Sequence, residues 1–280
     1  MKTRWIKLVD FVDSITGKNI HFYIEPKLQK NLENKVKYFL LKQDEDYVIV
    51  IDGKERSGKS VLAMQIGKYV DPTLNLDRVC FTPDEFKKAI TTATKGQCVI
   101  FDEAFRGLGS SSALSEVNRI LKSMMMEMGQ KNLFVIIVLP TFYLLEKYVA
   151  LWRTRCLIHI WKKGYWRLFN SKKKKLLYLN PLGKRYYSYV HVKTNLRGRF
   201  YNQYPLNEEE YREKKAKSFK EGFKKFGNDK YMEQRDKLVW ILYKNLGESI
   251  RNIVKLFESD GVQLKKSQIS TIIAKFKGQV

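Results

Sequence analysis

Residues 47–60, YVIVIDGKERSGKS, pass from an apolar run through a polar turn to the start of an amphipathic segment. A mainly apolar run (47–52) enters a polar turn carrying Gly53 and Gly58, and from Gly58 to Val70 the apolar residues recur at helical spacing. The turn satisfies the pattern GxxxxGK[ST] and sits where that pattern must sit, between a strand and a helix. Gly53 permits a sharp backbone turn, and Gly58 lets the backbone approach a ligand without a Cβ in the way, so that amides face an anion. Lys59 adds a positive charge, and the helix start adds the positive end of its dipole. Gly53, Lys54, Glu55, Arg56, Ser57, Gly58, Lys59, Ser60 and Val61 are therefore the predicted cradle of a phosphate chain.

Beyond this stretch, short apolar runs alternate with amphipathic segments in the rhythm of a parallel sheet. Runs at 47–52, 78–81, 97–102, 133–139 and 156–160 predict a five-stranded, mainly parallel sheet, with helices at 58–70, 83–92, 113–128 and 142–151. The third run, QCVIFDE, ends in two carboxylates, the Walker B form that complements a Walker A turn. Asp102 together with Ser60 is suited to hold Mg²⁺, and Glu103 to polarise an attacking water as general base. Lys59 would face the β- and γ-phosphates of ATP.

A strand and helix over 78–92 separate the two motifs, which is expected to insert a strand between the first and third in the sheet. In motif type and strand count the chain resembles the additional-strand, catalytic-glutamate P-loop ATPases, which include RecA-like, AAA+ and FtsK/HerA-type motors. GKERSGKS, IFDEA, QKNLFVIIVLP and WRTRCLIHI together look like the P-loop ATPases of phages, archaeal viruses and integrated elements, often labelled similar to zonular occludens toxin. The likeness covers 47–179, about half of the chain. It implies a RecA-like core, ATP and Mg²⁺ as ligands, DNA as partner and a homo-oligomer. It also implies a γ-phosphate sensor ending the fourth strand, where LPTF offers Thr141 in place of the usual glutamine. An arginine finger is expected, with Arg153 and Arg155 the candidates and Arg106 and Arg119 competitors. No NKxD motif follows, which disfavours a GTPase.

At the N-terminal side, alternating runs over 5–24 joined by TGKN predict a hairpin, and Leu28, Leu32, Val36, Phe39 and Leu40 predict a helix. After residue 160 the chain becomes basic. Segments 165–169 and 176–179 read as a second hairpin with Lys172, Lys173, Lys174 and Lys175 at its tip, either solvated or contacting phosphate. Segment 183–204 interleaves cations, among them Arg197 and Arg199, with tyrosines that serve equally as stacking platforms or as packing residues. A charged connector helix capped by Asn207 follows, then three amphipathic segments at 236–246, 248–257 and 266–276. Their pattern resembles a helix-turn-helix, with Gln268 on the segment that would enter the major groove and Lys266 flanking it as a phosphate contact; a three-helix cap or oligomerisation module fits the same periodicity. The predicted divisions are 1–46, 47–161, 162–206, 207–230 and 231–280.

Lys and Arg number 53 against 29 Asp and Glu, a formal +24 concentrated after residue 160, which points to nucleic acid as partner. Cys80, Cys98 and Cys156 lie far apart in apolar runs and read as buried thiols of a reducing compartment, and with three isolated histidines they predict no zinc site. No basic, apolar leader is read at the start, and Pro140, Glu146 and Lys147 interrupt the one long apolar stretch, so a cytoplasmic protein without a membrane span is expected. The reading reached is an ATP-hydrolysing DNA motor of a virus or mobile element. A packaging terminase subunit lacking a nuclease, a small-molecule kinase and an ATP-switched DNA-binding regulator stand as alternatives.

Overall fold

The computed structural model describes residues 8–12, 17, 19–102, 111–225, 229–259 and 264–277. Strands β1 (Leu8–Val12) and β2 (Asn19–Tyr23) pair antiparallel as the predicted hairpin. Helix α1 (Pro26–Asn31) continues through a π-helical stretch, Leu32–Lys37, into α2 (Tyr38–Lys42), and buries Leu28, Leu32, Val36 and Leu40 on one side. Next come β3 (Tyr47–Gly53), α3 (Lys59–Val70), β4 (Val79–Cys80), α4 (Pro83–Thr92), β5 (Cys98–Phe101), α5 (Ser111–Glu127) and β6 (Phe134–Leu139). After these follow β7 (Cys156–Lys162), β8 (Tyr165–Asn170), α6 (Ser171–Leu179), α7 (Pro181–Tyr186), β9 (Leu196–Arg199) and α8 (Glu208–Lys225).

The chain is α/β, with a seven-stranded, mostly parallel sheet in the order β4-β5-β6-β3-β7-β8-β9. The five expected strands are parallel neighbours, and β8 and β9 extend the sheet antiparallel. The strand inserted between the first and third is β6, not the one at 78–81 as expected. With two residues, β4 suits an edge, whereas all six residues of β6 are buried, which suits the centre. Alternation along β3 sends Val48 and Val50 to one face and Ile49 and Ile51 to the other. The first face packs on α4, on Leu121, Met124 and Met125 of α5 and on Met128; the second packs on α1, α2 and α3.

Helix α4 has its predicted bounds because Thr82 caps it by accepting from the Glu85 amide at 3.2 Å, while the Glu85 carboxylate accepts from the Phe81 amide at 2.7 Å. The single helix expected over 142–151 is instead two short turns, Phe142–Leu144 and Val149–Arg153. Tertiary partners take the backbone there: Asp52 accepts from the Phe142 amide, and Asn118 bonds both the Leu144 carbonyl and the Glu146 amide. The hairpin expected over 165–179 is also corrected. Its true partner strands are β7 and β8, which turn at Gly164 (φ +81°). The four lysines lie on α6, whose start is capped by Asn170 accepting from the Lys173 amide at 3.0 Å. Lysine and leucine favour a helix, and no residue among Lys172–Lys175 suits the positive φ of a tight hairpin tip.

Contacts divide the chain into two compact units, Met1–Gly222 and Phe223–Val280. The second contains α9 (Asp229–Lys244), α10 (Ile250–Ser259) and α11 (Lys266–Lys277) around Val239, Ile253, Leu264, Ile269, Ile272 and Ile273. Among the described residues no helix is long and apolar enough to cross a membrane.

Candidate functional site

The C-terminal ends of β5, β6, β3 and β7 share one edge of the sheet, the edge at which open α/β sheets bind ligands. There the chain leaves β3 at Gly53 (φ +147°) and enters α3 from Gly58 (φ +96°). A Cβ on Gly53 would stand 2.5 Å from the Ile160 carbonyl oxygen, and one on Gly58 would stand 2.9 Å from the Phe200 ring. Both positions therefore require glycine for conformation and for space. Lys54, Glu55 and Arg56 are exposed, while Val61 is buried in the first turn of α3. Ser57 is buried, and its hydroxyl has no hydrogen-bond partner among the described residues.

Lys59 Nζ donates to the carbonyls of Gly53 and Lys54 at 2.8 Å each, which folds its ammonium back over the turn. The Ser60 hydroxyl donates to Asp102 Oδ1 at 3.1 Å, so the two motifs meet across 42 positions of sequence. Asp102 directly follows β5 and is fully buried. Its second oxygen accepts from the Tyr211 hydroxyl at 2.5 Å and lies 3.7 Å from Lys215 Nζ. Both partners come from α8, which was expected to be only a connector. The segment leading into α8 is tied down by Gln65, whose amide donates to the carbonyls of Tyr201 and Gln203 at 2.9 and 2.7 Å. Lys214 then fixes α8 on the carbonyls of Leu76 and Val79, at 2.8 Å each. Glu103 and Arg106 lie outside the described residues.

Beside the turn, fully buried Asp52 accepts from the Phe142 amide at 2.7 Å and from the Tyr189 hydroxyl, and its other oxygen meets His159 Nδ1 at 2.8 Å. The Tyr189 ring stacks on His159 at 3.7 Å, and its hydroxyl lies 3.1 Å from Thr141 Oγ1. Burial, with the Asp52 carboxylate second, holds the Tyr189 phenol well above its usual range. Thr141 is thereby linked to the residue that precedes Gly53. Asp52, His159, Tyr189, Tyr211 and Lys215 escaped the sequence reading. A carboxylate and an imidazole inside the apolar runs YVIVIDG and CLIHI were signals for the first two, whereas nothing local marked the tyrosines.

Arg153 and Arg155 stand elsewhere. Arg155 begins the approach to β7, its amide donating to the Val48 carbonyl at 2.8 Å, at the opposite edge of the sheet. Arg153 pairs with Asp46, and Arg155 pairs with Glu45 and covers the Phe39 ring at 4.3 Å. Strand β3 is seven residues long, so these guanidinium groups are roughly 20 Å from the turn and do not reach it within one chain. Arg119 is exposed on α5.

The predicted nucleic-acid residues also separate. Lys172 is exposed, Lys173 Nζ donates to the Thr194 carbonyl at 3.3 Å, and Lys175 lies 4.2 Å over the Trp152 ring. Lys174 is fully buried, donating to the carbonyls of Ala150 and Thr154 and, at 2.7 Å, to the Thr154 hydroxyl. It is a structural lysine. Burial pushes its pKa down to about 7, with Cys156 opposing and Lys175 assisting. An unfolded lysine titrates near ~10.4, so between these values the unfolded chain binds more protons and stability rises with pH. Denaturant midpoints should accordingly climb from about pH 7 to pH 9 in the parent and lose that climb in Lys174→Met. Parallel slopes would show that Lys174 is not the group responsible. Arg197 and Arg199 are exposed on β9. In the second unit Lys266 is exposed at the start of α11, and Gln268 turns back to accept from the Lys265 amide at 2.9 Å.

No family model, no curated protein and no solved structure matches the chain.

Proposed function

We propose that the chain is a Mg²⁺-dependent ATPase with a RecA-like P-loop core, which couples ATP hydrolysis to movement, packaging or remodelling of DNA as a homo-oligomer. The observation that carries this reading is the Ser60–Asp102 hydrogen bond at 3.1 Å, because it sets a hydroxyl and a carboxylate side by side at the helix start that follows a glycine-relaxed turn. The donor set fits the ion. Mg²⁺ takes hard oxygen ligands, keeps several waters and is held by one or two protein groups plus substrate phosphates. Ser60 and Asp102 supply those protein oxygens, and among the described residues no cluster of three or more His, Cys, Asp or Glu offers a self-sufficient metal cage.

When bound, Mg²⁺ would neutralise charge on the phosphate oxygens. The chain's own residues do the rest. Lys59 exchanges the carbonyls of Gly53 and Lys54 for phosphate oxygens, and the unpartnered Ser57 hydroxyl supplies a further donor in the turn. Glu103 accepts the proton of the attacking water as its oxygen bonds to the γ-phosphorus, and the bond to ADP breaks. Thr141, held through Tyr189 and Asp52, would sense the γ-phosphate.

Tyr211 is a positioning residue, since its hydroxyl fixes the rotation of the Asp102 carboxylate that Ser60 holds from the other side. Losing such an outer partner costs metal affinity about 10- to 100-fold. Tyr211→Phe should therefore raise the Mg²⁺ concentration needed for half-maximal binding of a fluorescent ATP analogue by at least about tenfold, while metal-free nucleotide binding stays unchanged. An unaltered Mg²⁺ requirement would reduce Tyr211 to packing.

The proposed activity is tested by inorganic phosphate release from ATP with single-stranded DNA, duplex DNA, RNA or no nucleic acid. Release without a phosphorylated acceptor separates an ATPase from a kinase, and acceleration by DNA separates a motor from a nucleotide-switched regulator.

A further inference from the structure

Between Glu146 and Glu208 the sequence contains no aspartate or glutamate. Strands β7, β8 and β9 all lie in this acid-free stretch. One face of these strands packs along its length: Ile158, Ile160, Trp166 and Leu168 join the core, and a Cβ on Gly198 would stand 2.5 Å from the Trp166 ring, whereas the other face is buried at Leu157 and Phe169 and opens towards the β7–β8 turn. Alternation sends Tyr165, Arg167, Arg197 and Arg199 to the other face, with Tyr165 directly opposite Arg199 and Arg167 directly opposite Arg197. A register shift between Ile160 and Lys162 pairs Lys162 with Tyr165 and so brings it to this face too. The Trp161 ring lies 5.6 Å from that of Tyr165 and is 45% exposed. Arg167 covers Trp161 at 4.9 Å, and Arg199 and Lys162 cover Tyr165 at 5.1 and 5.8 Å.

Like charges directly opposite one another in an antiparallel pair are destabilising, and no acid on these strands offsets Arg167 against Arg197. The ring contacts of Arg167, Arg199 and Lys162 offset part of that repulsion, and a bound polyanion would relieve the rest. An exposed ring beside a half-buried one, interleaved with cations, suits bases whose faces are open, and a duplex does not present such faces.

We propose that the open face of β7, β8 and β9 is a platform for single-stranded nucleic acid, on which Trp161 and Tyr165 stack with bases while Lys162, Arg167, Arg197 and Arg199 hold phosphates. This deepens the nucleic-acid half of the function proposed above and does not depend on ATP turnover. The platform also adjoins the nucleotide site. His159 is paired directly with Arg167 in the sheet and bonded to Asp52, the residue before Gly53. A strand lying on β8 therefore sits one side chain away from the strand that carries the turn.

The test is fluorescence anisotropy of labelled oligothymidylate and of a duplex of equal length, titrated with the full chain over a range of salt. The parent should prefer the single strand. Trp161→Ala should weaken it by about tenfold or more. Arg197→Gln combined with Arg199→Gln should lower the log–log salt slope by about 1 to 1.5. Thermal melting checks that each variant is folded. Binding by these variants equal to the parent's would remove the platform while leaving DNA as partner at another surface, and preference for the duplex would overturn the single-strand assignment. A parent that binds neither would remove the platform and the DNA half of the proposed function together, whereas ATP turnover would be judged separately.

Discussion

Lys59→Ala should bind ATP about 100-fold or more weakly than the parent, with its melting temperature nearly unchanged. The turn itself holds the ammonium in place, through the carbonyls of Gly53 and Lys54. In exchange for those two neutral acceptors it would take charged phosphate oxygens, and hydrogen bonds to charged groups contribute about 1.5–3 kcal/mol each. Losing two of them amounts to about 3–6 kcal/mol, which is at least two powers of ten in the dissociation constant. The folded state loses little, because the carbonyls face a partly open turn that water can enter. Equilibrium titration with a fluorescent ATP analogue reads this directly. An unchanged dissociation constant would mean that nucleotide, if bound, sits elsewhere.

Glu103→Gln should separate binding from chemistry. The amide keeps the size of the carboxylate but cannot take a proton from water, and loss of a general base costs about 10²–10⁴ in rate. Turnover should fall by that factor while ATP affinity stays within about twofold, so the variant accumulates bound ATP. The parallel change at Asp102 behaves differently, because Asp102 is bonded to Ser60 and Tyr211 and its loss affects the metal-holding pair itself. Equal turnover in Glu103→Gln and the parent would take Glu103 out of the mechanism and direct attention to another base.

Much of the first unit was legible because local signals and tertiary demand agree. Residues 47–60 combine an apolar strand with glycine at two positions of positive φ, Gly53 and Gly58, and α4 announces itself with a threonine cap, a proline and a glutamate three residues past the cap. The misreadings arose where identical residues serve two structures. Lys172–Lys175 reads as a hairpin tip by charge, but Asn170 as cap and the helix propensity of lysine decide for α6, and burial of Lys174 follows from the facing carbonyls of residues 150 and 154. Arg153 and Arg155 were placed by motif order alone. The direction of a parallel strand puts residues before it at the far edge from residues after it, and their pairs with Asp46 and Glu45 follow from that.

What sequence could not carry is the closing of the site by distant segments. Tyr189 reaches Asp52 across 137 positions and Tyr211 reaches Asp102 across 109, with no periodicity linking them. Strands β8 and β9 likewise joined the main sheet, where a separate hairpin over 165–179 and a basic, tyrosine-rich segment over 183–204 were expected. The tyrosines and arginines of 183–204 divide into buried Tyr189, half-buried Tyr204 and exposed Arg185, Tyr186, Tyr187, Arg197, Arg199 and Tyr201.

The most direct measurement is phosphate release from ATP by the full chain as a function of Mg²⁺, run beside Asp102→Asn and with binding of the ATP analogue followed in the same samples. Metal-dependent release by the parent that is lost in Asp102→Asn is the result expected of a site in which Ser60 and Asp102 share one ion. A parent that neither binds the analogue nor releases phosphate at any Mg²⁺ concentration, with or without DNA, would contradict it.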